Sequence, residues 1–338
     1  MKIRYDKLSM SNYKPPFTIS GHTINLLEEI TDVVSRYNIK NEANLRLRGI
    51  NRIRTIQGSL AIEGNQLSTD QITAILEGKP VVAPLHEIQE VRNAIKTYDQ
   101  LSVWNPSSIN DLLEAHAMLT DGLIEEAGKF RSGGVGVVAG KEVIHMAPPA
   151  DRVPFLVSDL QQWLLETDEH PLIAGSVFHY EFEFIHPFAD GNGRMGRLWQ
   201  TLIMSRWNEM FSYLPVENMI YMHQQAYYDA INTSSQKGDC ASFIEFMLEV
   251  IVEAIKANTP EVTPEVRKLL IFLVDAKELS RQEIQKGLML KDEKNVRLRY
   301  IKPAMEAGFI EQTIADKPNS RFQKYRITTK GVTIILGK

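Results

Sequence analysis

The chain has 338 residues, of which 43% are hydrophobic and 24% are charged, and its formal net charge is −4. This length buries at least one core and leaves room for two domains, and the composition is that of an ordinary globular protein. The single cysteine, Cys240, excludes an internal disulfide framework and favours a reducing compartment, which predicts a cytoplasmic location. We find no apolar run long enough to cross a bilayer and no secretion signal in the polar N-terminus, so no membrane partner is expected.

Charge is divided unevenly along the chain. From Pro264 to the C-terminus there are 16 Lys and Arg against 9 Asp and Glu, whereas the remainder has 22 against 33. An acidic body with a basic end predicts two domains with different surfaces. We expect an N-terminal helical region over 1–110, a core over 111–256, a proline-containing linker over 257–264 and a C-terminal module over 265–338.

Helical periodicity dominates the N-terminal region. The segment Asn41–Ile62 is predicted to be a helix that stops at Gly64-Asn65. Ser68 then begins a capping box that opens another helix, and two more helices are predicted over 84–103 and 108–119. The core-facing positions predicted for the first of these helices are Leu45, Ile50, Ile53, Ile56 and Leu60.

Two short apolar runs, 135–138 and 142–146, flank Ala139-Gly140-Lys141. Runs of this length around a glycine-containing turn are typical of a β-hairpin. Pro148-Pro149 follows and ends the predicted second strand.

The most informative stretch is His186–Arg197, which reads HPFADGNGRMGR. Apolar residues recur at helical spacing on both sides of it, so we predict a tight turn between two helices, the second beginning where Gly191-Asn192-Gly193 ends. A glycine-rich turn next to the unpaired N–H groups of a helix start forms a cradle for anions. Arg194 and Arg197, predicted to lie in the first turn of that helix, suit forked recognition of phosphate.

Two further side chains of this stretch bear on its chemistry. Asp190 offers a hard oxygen ligand next to the cradle, which suits Mg²⁺ shared with phosphates. His186 is a histidine, whose ordinary pKa lies near neutrality and suits a general base. Together these residue types predict transfer chemistry on a nucleotide.

The stretch matches, at every specified position, the signature H-x-F-x-[DE]-G-N-G-R-x-x-R of the Fic family, and the chain resembles that family. The resemblance implies a mainly α fold, a Fic-type helical bundle with a small β-hairpin flap. It implies transfer of AMP from ATP, with Mg²⁺, to a Tyr, Thr or Ser hydroxyl of a target protein or of the chain itself. The region 111–256 would be the Fic catalytic core.

The resemblance also implies a role for each residue of the turn. His186 would take the proton from the target hydroxyl, and Asp190 would hold Mg²⁺ on the α and β phosphates. Arg194 would hold the distal phosphates, and Arg197 the γ-phosphate. The implied nucleotide-binding residues of the turn are Gly191, Asn192, Gly193, Arg194, Met195, Gly196 and Arg197.

The segment SLAIEGN resembles the inhibitory motif of Fic proteins, [ST]-x-x-x-E-[GN]. Here the motif residues are Ser59, Glu63 and Gly64, in an inhibitory helix over about 41–65. The resemblance implies that Glu63 pairs with Arg197 and occupies the place of the γ-phosphate, while Ser59 holds the helix in register. A buried arginine–carboxylate pair of this kind has strong geometry.

The predicted hairpin resembles the Fic flap, which registers the target segment by strand addition. By that resemblance Val143, Ile144, His145 and Met146 would face the nucleotide and the target. His145 can also be interpreted as a second catalytic histidine, although a flap-edge position is favoured.

Tyr227-Tyr228 resembles the segment that forms a wall beside the adenine, where an aromatic ring can stack. Core packing is the alternative for this pair.

The last seventy-odd residues resemble a winged helix, an α+β module, with a basic third helix that carries Arg297, Arg299 and Lys302. This leaves open a DNA-binding regulator in which the Fic domain is a sensor, although protein contacts are favoured over DNA. A second alternative is a Fic-fold enzyme that transfers another nucleotide, such as UMP, or removes AMP, in which case Glu63 would position a water. The resemblance also allows a homodimer.

Overall fold

The computed structural model describes residues 13–36, 42–134, 136–139, 142–258, 263–274, 276, 278–290, 292–314, 316–317 and 320–336. Within these ranges the side chains of 36, 42–47, 136–139, 142–146, 333 and 336 lie outside the description. The described chain is mainly helical, as the sequence predicts. It divides into two compact units, Met1–Glu29 with Ile50–Ala254, and Ile30–Gly49 with Ile255–Lys338.

The N-terminal helices follow the predicted order. They are α1 (Gly21–Arg36), α2 (Glu42–Ile62), α3 (Thr69–Leu76), α4 (Leu85–Asp99) and α5 (Ile109–Leu119). The capping box at Ser68 is confirmed, because its hydroxyl accepts the N–H of Gln71 while the Gln71 side chain accepts the N–H of Ser68.

The predicted core stripe of α2 is correct only in its second half. Ile56 and Leu60 are buried, Ile53 is half-buried, and the side chain of Leu45 lies outside the described residues. Ile50 is 42% exposed, so the prediction is wrong there. The helix instead turns Asn51 and Thr55 inward, both of which are buried.

The predicted hairpin is present in the backbone. Strand β1 (Gly136–Ala139) pairs antiparallel with β2 (Glu142–Met146). Gly136 lies opposite Met146, and the register shifts between Val137 and Val138. Such an irregularity bends and twists a strand locally.

The rest of the first unit contains α6 (Val153–Glu166), α7 (Pro171–Ile185), α8 (Asn192–Trp207), α9 (Val216–Met222), α10 (Gln224–Lys237) and most of α11 (Ala241–Asn258). Helices α7 and α8 pack on each other, and α7 buries every residue from Leu172 to Phe182. Helix α8 is buried almost as completely, up to Met204. Burial on all sides marks a helix pair at the centre of a bundle. The turn between them is therefore held by two deeply buried helices.

The C-terminal unit has its own sheet and core. Its elements are α12 (Pro264–Val274), β3 (Leu279–Ser280), α13 (Arg281–Gly287), α14 (Glu293–Asn295), a π-helical segment Val296–Ile301, α15 (Lys302–Glu306), β4 (Ile310–Gln312), β5 (Lys324–Ile327) and α16 (Thr329–Leu336). The three strands form an antiparallel sheet in the order β3-β5-β4. Leu269, Leu273, Val296 and Phe309 belong to its buried core. The winged-helix assignment stays a prediction.

In the described part of the chain, no helix combines the length and the apolar character that crossing a membrane requires.

Candidate active site at the turn between helices α7 and α8

Two left-handed residues shape the turn between α7 and α8. His186 ends α7 with φ 49° and ψ 62°, and Gly191 precedes α8 with φ 83°. Because Gly191 is the N-cap, the helix begins at Asn192 and not after Gly193, so Arg197 lies beyond its first turn. The Asn192 amide closes the turn, since it accepts the N–H and donates to the carbonyl of Phe188, both at 2.9 Å.

An anion already lies at the start of α8. No side chain caps this helix end, and the carboxylate of Glu63 lies so close to Gly193 that a Cβ there would collide with Glu63 Oε1. Arg197 Nη2 donates to Glu63 Oε1 at 2.7 Å. The Arg197 side chain is 1% exposed and that of Glu63 is 37% exposed. The structure thus brings together the two residues that the sequence resemblance pairs.

The end of α2 is fixed by contacts from two other helices, α8 and α10. Arg197 Nη2 also donates to the Ser59 carbonyl at 2.9 Å, and Gln224 Nε2 donates to the Ile62 carbonyl at 3.0 Å. Gly64 takes φ +97°, a left-handed conformation that ends helices readily. A cation at a helix C-terminus is also favoured by the helix dipole.

Helix α2 approaches α9 backbone to backbone. A Cβ on Gly58 would lie 2.5 Å from the Cα of Asn218, a separation that no real contact shows. Only glycine therefore permits this crossing, which lies about 7 Å along the helix from Glu63 at 1.5 Å per residue.

The second arginine of the turn also holds carboxylates. Arg194 is 4% exposed, and its Nη2 donates to Asp190 Oδ2 at 2.8 Å while its Nη1 donates to Glu90 Oε1 at 3.2 Å. The other oxygen of Glu90 accepts from Asn65 Nδ2 at 2.8 Å. Sequence reasoning missed Glu90, because no local pattern in α4 distinguishes it from a solvated helix residue.

Asp190 combines a fixed backbone with an exposed carboxylate, of which one oxygen accepts from Arg194. Its carbonyl accepts Nε2–H of His116 at 3.0 Å, while His116 Nδ1 accepts the N–H of Gly128 at 2.9 Å. Burial lowers the pKa of His116 to about 4, so the ring is neutral and stacks on Phe188 with centroids 3.6 Å apart. The Asp190 side chain is 58% exposed. One exposed hard oxygen donor beside an anion-binding helix start fits Mg²⁺, which takes its remaining ligands from phosphates and water.

A buried arginine holds the backbone of the turn. Arg131 is 3% exposed, and it donates from Nε to the carbonyl of His186 at 2.7 Å and from Nη1 to that of Gly133 at 2.8 Å. It also donates to the Pro148 carbonyl. Gly133 and Pro148 lie just before and just after the hairpin, so one guanidinium connects the base of the hairpin to the turn. No local sequence pattern marks Arg131 for this role.

Three predicted nucleotide-binding residues have packing roles in the structure. Met195 is fully buried and its N–H is bonded to the Gly191 carbonyl, so it is a core residue. Gly196 lies against α7, where a Cβ would come within 2.7 Å of His179. Tyr227 is 2% exposed and its hydroxyl lies 3.1 Å from His179 Nε2, which supports the core alternative for this ring.

The remaining predicted positions, on α10 and in the hairpin, stay predictions. Tyr228 is half-buried, with its hydroxyl 3.4 Å from Gln224 Nε2. Asn232, which sequence reasoning passed over, follows one turn later on α10 and has a buried carboxamide oxygen without a hydrogen-bond partner in the described structure. The side chains of the hairpin positions lie outside the described residues, namely Val143, Ile144, His145 and Met146.

The fold and this site define a helical protein with an anion-binding turn beside a histidine. Comparison with known families agrees: residues 106–204 match the Fic/DOC family model, and residues 264–328 match that of the C-terminal domain of Fic-like proteins, filamentation induced by cAMP. A crystal structure of a Fic family protein from Desulfovibrio desulfuricans G20 is 48% identical, with a TM-score of 0.71 over 94% of this chain and 99% of that one. The chain belongs to the Fic family.

Curated relatives match a smaller share of their own length. A protein adenylyltransferase Fic of Nematostella vectensis is 29% identical over 218 residues, which is 60% of this chain and 48% of that protein. Protein adenylyltransferase fic-1 of Caenorhabditis briggsae is 34% identical over 202 residues, 56% of this chain and 38% of that protein. The chain thus spans less than half the length of these relatives.

Proposed function

We propose that this chain transfers AMP from ATP to a Tyr, Thr or Ser hydroxyl of a target protein, and that Glu63 restrains the transfer. The observation that supports this most strongly is the Glu63 carboxylate at the uncapped start of α8, against Gly193 and Arg197. A site that accommodates a carboxylate with an arginine and a helix start has the chemistry to accommodate a phosphate.

The two arginines would divide the triphosphate between them. The γ-phosphate would replace Glu63 as the partner of Arg197, and Arg194 would bind the neighbouring phosphates. Asp190 is the residue that would hold Mg²⁺, which when bound neutralises charge on the phosphate oxygens. On the base side, half-buried Tyr228 offers a ring and Asn232 a carboxamide oxygen with no other partner.

His186 would supply the base. Its side chain is 20% exposed, and its backbone is fixed at both ends, by the α7 cap on its N–H and by Arg131 on its carbonyl. The imidazole takes the hydroxyl proton as the hydroxyl oxygen bonds to the α-phosphorus and the bond to the pyrophosphate breaks. Both fixed backbone groups hold the ring in place for this transfer.

Mass spectrometry of the full chain with MgATP and a cell lysate tests this proposal. In a Glu63→Gly background we expect an AMP adduct on the chain or on a lysate protein, and we expect His186→Ala to abolish it. His22→Ala, which changes an exposed histidine paired with Glu249 on the surface, is the matched control and should keep the adduct. A Glu63→Gly protein that modifies nothing would contradict the proposal.

The same experiment separates the alternatives left by the sequence. Transfer of UMP gives a different mass on the product, and removal of AMP gives loss of mass from a pre-modified target. Self-modification appears as an adduct on the chain. A homodimer needs a separate measurement, the mass of the native protein in solution.

Binding of DNA by the C-terminal unit is the weaker alternative. Several of its basic side chains already contact carboxylates, including Arg299 with Glu265 at 3.9 Å and Lys302 with Glu306 at 3.7 Å. A carboxylate beside a cation repels the phosphates of a duplex, so these pairs lower the gain from binding DNA. A duplex-DNA complex that weakens steeply with salt would support the alternative.

A further inference from the structure

Glu183 is a carboxylate that neither the family signature nor the inhibitory motif includes. It lies on α7, one turn before His186, and its side chain is 12% exposed. Its Oε2 is 3.8 Å from His186 Nδ1, and its Oε1 is 4.0 Å from His179 Nε2. A Cβ at Gly196 would lie 3.2 Å from Oε1, so the carboxylate is pressed against α8 where that helix has no side chain.

The surroundings of Glu183 offer few hydrogen bonds to offset the cost of burying its carboxylate. Oε1 is buried and has no hydrogen-bond partner among the described residues. Burial raises the pKa of Glu183 to about 7, with Glu63 acting in the same direction and Arg197 opposing both. The charged and titratable groups that face it are His179, His186, Arg197, Glu63 and Tyr227.

Glu183 needs a neighbouring cation to compensate its charge, and His179 does not supply one. Its Nδ1 lies 2.6 Å from Gln200 Oε1, and its Nε2 lies 3.1 Å from the Tyr227 hydroxyl. Burial lowers the pKa of His179 to about 3, so this ring stays neutral near pH 7. Arg197 is committed to Ser59 and Glu63. The group left to become a cation beside Glu183 is the imidazole of His186.

We propose that Glu183 is a positioning residue for His186: its carboxylate accepts Nδ1–H of the imidazole, which leaves Nε2 to receive the proton of the target hydroxyl. This inference rests on the proposed function. In the transfer, the hydroxyl proton moves to Nε2, the hydroxyl oxygen bonds to the α-phosphorus, and pyrophosphate departs with the electron pair of the broken bond. The imidazolium that forms is paired with Glu183 and later releases its proton to water. The 3.8 Å separation shortens to a hydrogen bond as that charge develops, because catalytic hydrogen bonds are often long without substrate.

The first test measures protonation of His186 without any activity. The full chain, carrying isotope-labelled histidine, is titrated by NMR as wild type, E183Q and E181Q, with H186A to assign the resonance. E181Q is the matched control, because Glu181 is a buried carboxylate of the same helix that instead accepts a hydrogen bond from Tyr13 at 2.6 Å. An opposite charge at this range favours the charged form of a histidine.

We expect the titration midpoint of His186 in E183Q to fall by about one pH unit, and that in E181Q to stay at the wild-type value. We also expect the neutral ring to carry its proton on Nδ1 in the wild type and to lose this preference in E183Q. Equal midpoints and equal tautomers in wild type and E183Q would overturn the proposal. An equal shift in E181Q would overturn it too, because the effect would not come from Glu183.

The second test uses catalysis in the Glu63→Gly background. E183Q should lower kcat about tenfold or more, leave KM for ATP unchanged, and move the acid limb of the pH profile to lower pH. E183D, which keeps the charge, should recover part of kcat and the original limb. A kcat and a pH profile that E183Q leaves unchanged would overturn the proposal. If no variant transferred AMP, the proposed function would fail, while the NMR titration would still decide the role of Glu183.

Discussion

Replacing Glu63 with glycine should release the nucleotide site. The carboxylate accepts a charge-assisted hydrogen bond from Arg197 at 2.7 Å, and such bonds are worth about 1.5–3 kcal/mol. Because the Glu63 side chain is 37% exposed, solvent screening places the pair in the lower part of that range, at about 1.5–2 kcal/mol. A triphosphate should therefore bind the Glu63→Gly chain about ten- to thirtyfold more tightly than it binds the wild type.

Calorimetric titration of the full chain with a non-hydrolysable ATP analogue and Mg²⁺ measures this change. Glu63→Gln, which keeps the acceptor oxygen and loses the charge, should give an intermediate affinity. Glu77→Gln is the control, because Glu77 pairs with Lys79 away from the turn.

A melting experiment supplies a second measurement of the same release. Removing the carboxylate leaves the guanidinium of Arg197 buried and uncompensated, so the melting temperature of Glu63→Gly should fall without nucleotide. The nucleotide should then raise it by more than it raises the wild type. Equal affinities and equal melting shifts in wild type and variant would refute the competition between Glu63 and the γ-phosphate.

Three further predictions follow from other contacts of the first unit. Glu90→Gln removes one of the two carboxylates that hold Arg194 and should raise nucleotide affinity in the same titration. The gain should be only about two- to fivefold, because Asp190 continues to hold Arg194. Weaker binding would contradict a competing role for Glu90. Arg131→Met should lower the free energy of unfolding in urea by about 2–4 kcal/mol, because several buried carbonyls lose their donor. The same variant should lower kcat at least tenfold and leave the dissociation constant for the nucleotide unchanged. An unchanged kcat would exclude a link between this arginine and the turn. The third prediction concerns stability in acid. His179 has a pKa of about 3 in the folded chain and about 6.5 when unfolded, so between these pH values only the unfolded state takes up the proton. Stability therefore falls as the pH falls from 6.5 towards 3. His179→Gln should therefore remove about 1.4 kcal/mol per pH unit from the slope of unfolding free energy over this window, and an unchanged slope would show that the ring is not neutral in the fold.

The sequence could predict those features that short stretches encode. The twelve residues from His186 to Arg197 contain the whole turn, and helical periodicity on both sides fixes its setting between two helices. The capping box at Ser68 is similarly local. Helix α8 begins two residues earlier than the sequence predicts, because a glycine in the left-handed conformation can serve as an N-cap as well as a turn residue.

Features that depend on tertiary contacts could not be predicted. Glu90 and Arg131 lie 104 and 55 residues from their partners Arg194 and His186, and no local pattern marks them. Tyr227 differs from Tyr228 only in which side of α10 it occupies, so burial alone separates the core ring from the half-buried one. Ile50 has the right spacing for a core position, but α2 turns polar Asn51 inward in its place.

If the chain has the proposed function, the crossing at Gly58 would separate inhibition from catalysis. A single methyl group there would force α2 away from α9 and withdraw Glu63, without altering a charge, a base or a phosphate ligand. The strength of the proposed restraint would thus be set by the packing of two backbones, while the proposed chemistry would be set by other residues. Over evolutionary time each property can be adjusted by mutations that leave the other intact.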